Sequence, residues 1–134
     1  MATLEFKYND GGRSAYFKAK EVGDCVTRAF AIAARRDYKE VYNLIKQVSG
    51  KTPRNGVDKP TCRKVAEMLG GTWVSCMTIG AGCKVHLAPD EIPMQGRIVA
   101  QVSKHLTAVV DGVINDLHDP SRNGTRCVYG YWKF

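Results

Sequence analysis

The sequence predicts an α+β fold in which N-terminal helices pack on an antiparallel β-sheet, and three observations carry that prediction. Apolar residues recur at helical spacing as far as Leu69, the period changes to 2 beyond Gly71, and the two regimes do not alternate. Helices followed by strands argue against the repeated βαβ units of a parallel sheet. The 134 residues, 44% hydrophobic and 25% charged, suit one core, so a single domain over 1–134 is expected.

After a polar opening with a turn signal at Asn9-Asp10-Gly11-Gly12, the first helix is expected to start at Cys25. Val26, Ala29, Phe30 and Ala33 form its apolar stripe, and Asp24 offers an N-cap. A second helix over 38–48 would be capped by Asp37 and would bury Val41, Leu44, Ile45 and Val48. A third, over 60–69, begins near Asp58 and is stopped by Gly70-Gly71. Strands are expected at 73–78, 84–88, 98–103, 105–110, 113–117 and 127–133. Between two of them, Val110-Asp111-Gly112-Val113 suits a hairpin with a two-residue type I′ turn.

That hairpin sets a register. Val110 faces Val113, Val109 faces Ile114, Thr107 faces Asp116 and His105 faces His118, which places His105, Thr107, Asp116 and His118 on one side of the sheet. Asp116, diagonal to His105, is placed to orient the imidazole and stabilise its charged form. Cys25 at a helix N-terminus sits where unpaired N–H groups and the helix dipole favour a thiolate. Asp119 is the alternative third member; strict alternation puts it on the opposite face, unless Asp119-Pro120 breaks the strand and turns the carboxylate back. Each residue has an ordinary structural reading: a buried first-turn thiol, a strand histidine, an edge carboxylate. Together they follow the order of a cysteine-nucleophile site.

Two segments carry a resemblance. Gly23-Asp24-Cys25-Val26-Thr27-Arg28-Ala29 with its alanine-rich continuation, and His105-Leu106-Thr107-Ala108-Val109-Val110-Asp111-Gly112 followed by Asp116, resemble the Cys and His motifs of the papain-like cysteine peptidase superfamily. The likeness is to its compact branches, the bacteriocin-leader-processing peptidases and small cell-wall amidase/endopeptidases, and to small bacteriophage proteins with the same signature. The resemblance implies Cys25 as nucleophile, His105 as general base and then acid, and Asp116 as the orienting residue, acting on a peptide or protein substrate. Such enzymes often place a glutamine shortly before the cysteine; Phe17-Lys18-Ala19-Lys20-Glu21 has none, and Asn9 or Lys20 is the available substitute.

Charge and cysteine content bound the rest. Twenty Lys+Arg against thirteen Asp+Glu give a formal charge of +7, a field that attracts nucleic acid, anionic lipid or acidic proteins without naming one of them. No apolar run approaches the ~18 residues of a membrane span, and residues 1–7 lack a signal peptide's hydrophobic stretch, so a cytoplasmic protein with five reduced thiols and no membrane partner is expected. Cys62, Cys76, Cys83 and His86 follow C-x13-C-x6-C-x2-H with no C-x2-C pair, so neither metal nor cofactor is expected. Tyr129, Tyr131 and Trp132 are read either as a stacking platform or as residues that close a sheet on its core. The expected activity is acyl transfer at Cys25, chiefly peptide or isopeptide hydrolysis in a phage context. The alternative is a non-catalytic basic protein on the same fold that binds and inhibits a host protein or a nucleic acid.

Overall fold

A computed structural model describes residues 3–18, 23–54, 56–78 and 80–134. Three helices, α1 (Cys25–Ala34), α2 (Tyr38–Ser49) and α3 (Lys59–Met68), precede most of a six-stranded sheet. Its strands are β1 (Glu5–Tyr8), β2 (Thr72–Ser75), β3 (Arg97–Val102), β4 (His105–Val110), β5 (Val113–Asp116) and β6 (Gly130–Lys133), in the order β1-β5-β4-β3-β6-β2. The architecture is α+β, with one correction: the sheet is mixed, because β1 runs parallel to β5. β1 escapes sequence reading because all four of its residues are exposed on an edge, which removes the apolar alternation that marks a strand.

Local chemistry sets the helix boundaries. The Asp37 and Asp58 carboxylates accept from the backbone N–H groups of Lys39 and Thr61, satisfying first-turn donors of α2 and α3. Tyr38, Val41, Tyr42 and Ile45 are buried on α2, while Leu44 and Val48 are half-buried against the same core. The stripe is therefore rotated towards the two tyrosines. Asp111 and Gly112 both take positive φ, 49° and 79°, as a type I′ turn requires, and β4–β5 pairs Val110 with Val113, Val109 with Ile114 and Ala108 with Asn115.

Two apolar clusters lie on opposite faces of the sheet. Val99, Leu106, Ala108 and Trp132 join Phe30, Val41, Ile45 and Val65 on the helix side. Ile98, Ala100, Val102, Val109 and Ile114 join Leu4, Leu87, Ile92 and Val128 on the other. Alternation along β3 feeds both, so this strand is buried on each face. Trp132 is part of the core: its ring meets Phe30 edge-on at 5.5 Å and Trp73 at 4.6 Å. The expected strand over 84–88 is reduced to a single bridge, His86 opposite Cys127, and the last strand starts at Gly130 rather than at Cys127.

Candidate active site

The thiol of Cys25 opens α1, as its sequence position predicts, but Asp24 does not cap the helix with its side chain. Its carboxylate is fully buried and accepts from the Tyr38 hydroxyl at 2.7 Å and Arg28 Nη1 at 2.8 Å, with Arg13 Nη1 at 3.4 Å. An ionic cluster, rather than a cap bond, anchors the backbone next to Cys25. Arg28 extends this cluster towards the sheet, its Nη2 lying 3.7 Å from Asp116 Oδ1.

Asp116 is held from several sides. Its Oδ2 accepts from His105 Nε2 and from Thr107 Oγ1, each at 2.7 Å, and its Oδ1 accepts from the Leu117 backbone N–H at 2.7 Å. Burial alone would raise this carboxyl, but these bonds and the charge of His105 hold it below the ordinary carboxylate range. With Nε2 committed to Asp116, Nδ1 is the ring nitrogen left over, and the imidazole and the Cys25 thiol line the same groove. Burial lowers the basicity of His105, and hydrogen bonding to Asp116 and Cys25 more than reverses this, pushing its pKa up to about 9. Burial likewise raises the Cys25 thiol, but His105, the Leu106 backbone and the charge of Arg28 outweigh it, so the thiol lies below its ordinary value. Cys62 moves the other way, up to about 12, through burial and the neighbouring Cys25; burial also raises Cys76. Among the free cysteines Cys25 alone is shifted towards the thiolate, the other two being shifted towards the thiol.

The structure thus brings together Cys25, His105 and Asp116. Asp119 stands apart: it is exposed and accepts from the Ser121 backbone N–H at 2.9 Å, closing the turn after Pro120. His118 lies beyond the end of β5 and packs its ring on that of His105, with centroids 5.6 Å apart. Asn9 is engaged at the Asp116 end of the sheet, donating to Asn115 Oδ1 at 3.0 Å and accepting from the Gly11 N–H. Lys20 lies outside the described residues.

Cys25 and His105 open into a groove of about 640 Å³. One wall is the start of α1 and α3, with Val57; the other is β2 and the ends of β3 and β6, with Trp73, Met77, Gln101 and Tyr129. Lys59, Arg63 and Lys104 line it, and none of the described lining residues is acidic. Other basic residues have structural work: Arg13 and Arg28 are buried with Asp24, Arg36 pairs with Glu40, Arg97 donates to the Ile32 carbonyl and Arg126 to the Ser103 carbonyl.

The expectation of five reduced thiols does not hold, because Cys83 and Cys127 form a disulfide. They are 44 positions apart in sequence and meet only through the His86–Cys127 bridge, so no local spacing announces the pair. The grouping of Cys83 and His86 with Cys62 and Cys76 is replaced by one with Cys127. Sequence reading also misses Arg28, although the i,i+4 spacing of Asp24 and Arg28 is a signal for their ion pair, and it misses Gln101, whose place in the groove comes only from the packing of β3.

No protein-family model matches the chain, and neither a curated protein nor a solved structure matches it.

Proposed function

We propose that the chain is a papain-like cysteine-nucleophile enzyme that transfers or hydrolyses an acyl group, with peptide or isopeptide bonds in an acidic protein segment as substrate. The observation that carries this reading is the Cys25–His105–Asp116 line, in which the one free thiol with a lowered pKa faces an imidazole already oriented by a buried carboxylate. The groove supports the substrate class, since three cations and apolar residues such as Trp73 and Met77 line it, with no carboxylate among the described lining residues.

In the proposed reaction the Cys25 thiolate attacks the carbonyl carbon, forming a C–S bond while the negative charge moves to oxygen. The first-turn backbone N–H groups of α1, which no side-chain cap of Asp24 satisfies, are the donors proposed for that charge. Collapse breaks the C–N bond, and the His105 imidazolium gives its proton to the leaving amine. Neutral His105 then takes a proton from water, which attacks the thioester and releases the acid and the Cys25 thiolate. With an amine in place of water the same residues perform transfer, and with a side-chain amide as substrate they perform deamidation.

The deciding experiment is pH-resolved labelling with iodoacetamide, read by peptide mass spectrometry. Selective modification of Cys25 at neutral pH, slowed at least tenfold in His105→Ala, is the expected result. A rate no higher than that of Cys62 sinks the reading.

A second reading keeps the groove and omits turnover, its lining of Lys59, Arg63 and Lys104 holding an acidic partner. It requires binding that weakens steeply with salt in wild type and survives in Cys25→Ser.

A further inference from the structure

Away from the groove, Cys83, His86 and Cys127 place their three ligating atoms within 4.8 Å of one another. We propose that in the reduced chain these residues bind one zinc ion, and that the Cys83–Cys127 disulfide is the oxidised form of the same site. The backbone builds this site. Leu87 N–H donates to the Arg126 carbonyl and Val128 N–H to the Val85 carbonyl, each at 2.8 Å, so His86 and Cys127 face each other as a non-hydrogen-bonded antiparallel pair. Side chains of such a pair project to the same face and approach closely. Cys83, three residues before His86, completes the set, with its Sγ 3.5 Å from His86 Nε2. That separation matches the edge of a zinc tetrahedron, about 3.6 Å for ordinary Zn–S and Zn–N bonds.

A second feature points to a metal rather than to a disulfide alone. Glu91 Oε1 lies 2.9 Å from His86 Nδ1 and also accepts from the His86 backbone N–H at 3.0 Å. A proton held on Nδ1 leaves the Nε2 lone pair directed to the sulfur side, the carboxylate–histidine arrangement that fixes the tautomer of a zinc ligand. Two thiolates and one imidazole neutralise the dication, and the exposure of Cys83 leaves the fourth position to water.

The chemistry balances with a dithiol as reductant. The dithiol gives two electrons and two protons to the Cys83–Cys127 bond and is itself oxidised to a disulfide; zinc then displaces the two thiol protons without changing oxidation state. Either state ties the 83–86 segment to the chain entering β6, whose Tyr129 lines the groove. The proposal is independent of the chemistry assigned to Cys25.

The test uses the full chain, reduced and freed of metal, titrated with Zn²⁺ against a chromophoric chelator and with Co²⁺ for its spectrum. One ion per chain is expected, with Co²⁺ giving thiolate charge-transfer and tetrahedral d–d bands. Diamide-oxidised protein should bind none. His86→Ala, Cys83→Ser and Cys127→Ser should each weaken binding at least 100-fold, Glu91→Gln about 10- to 100-fold, and Cys25→Ser, Cys62→Ser and Cys76→Ser should bind as wild type. Circular dichroism checks that each variant is folded, and the partly exposed His86 provides a variant that does not disturb the core. Absence of stoichiometric binding by the reduced wild type overturns the proposal, as does binding that survives in His86→Ala or is lost in Cys25→Ser.

Discussion

Arg28 links the start of α1 to the site carboxylate, with Nη1 donating to Asp24 at 2.8 Å and Nη2 standing 3.7 Å from Asp116 Oδ1. Its side chain is 7% exposed, and those of Asp24 and Asp116 are 0% and 3% exposed. Two buried carboxylates therefore share one guanidinium. Replacing it with an apolar residue of similar length leaves both charges without that partner, the situation in which breaking a buried pair costs about 3–5 kcal/mol. Arg28→Met should lose that much by urea denaturation, and Arg28→Lys less. An unchanged midpoint would show that the cluster contributes nothing to stability.

The pH dependence should separate the two roles of the Cys25–His105 pair. Cys25 is lowered from the ordinary thiol value and His105 is raised to about 9, so the proposed thiolate–imidazolium pair should persist from the lowered Cys25 value up to about pH 9. Alkylation of Cys25 should rise through an acidic limb below the usual thiol range and stay high in alkali, because the thiolate persists. Turnover should fall again as His105 loses its proton near pH 9, since protonation of the leaving amine then fails. Coincident profiles for labelling and turnover would contradict this assignment.

Asp116 and Asp119 make different predictions. Asp116→Ala removes the acceptor for His105 and Thr107 and should reduce kcat/KM by roughly 10²–10⁴. Asp119→Ala removes only the acceptor for the Ser121 N–H and should change kcat/KM less than about twofold. The reverse order in steady-state kinetics would move the third role to Asp119.

The groove cations should act on substrate binding rather than on the chemical step. Lys59 and Arg63 are exposed, so each contact with an acidic substrate contributes up to about 1 kcal/mol. Lys59→Glu/Arg63→Glu should raise KM for an acidic peptide roughly 3- to 10-fold, with kcat nearly unchanged and with reduced salt dependence. A fall in kcat at constant KM would exclude a substrate-binding role.

Gly130 is required by packing. A Cβ there would stand 2.3 Å from Trp73 Cζ2 and 2.8 Å from the Val74 carbonyl, too close for either the ring or β2 to remain in place. Gly130→Ala should destabilise by about 1–3 kcal/mol, as overpacking does. Thermal melting would reveal this, and an unchanged Tm would mean that β2 is free to shift.

The sequence by itself determined the three helices, the β4–β5 hairpin and the pairing of His105 with Asp116. The helix starts follow from Asp37, Asp58 and the apolar spacing, and the β4–β5 register follows from Asp111-Gly112, because these signals act within a few residues of the structure they specify. Only the tertiary structure decided which groups meet across long separations. It put Arg28 between Asp24 and Asp116, brought Cys83 and Cys127 together, turned Asp119 away from His105, and placed an exposed β1 parallel to β5. The physical reason is that such contacts depend on how α1 and the sheet pack and on loop paths. Backbone period carries no information about these, whereas burial of the ionic cluster and the apolar faces does.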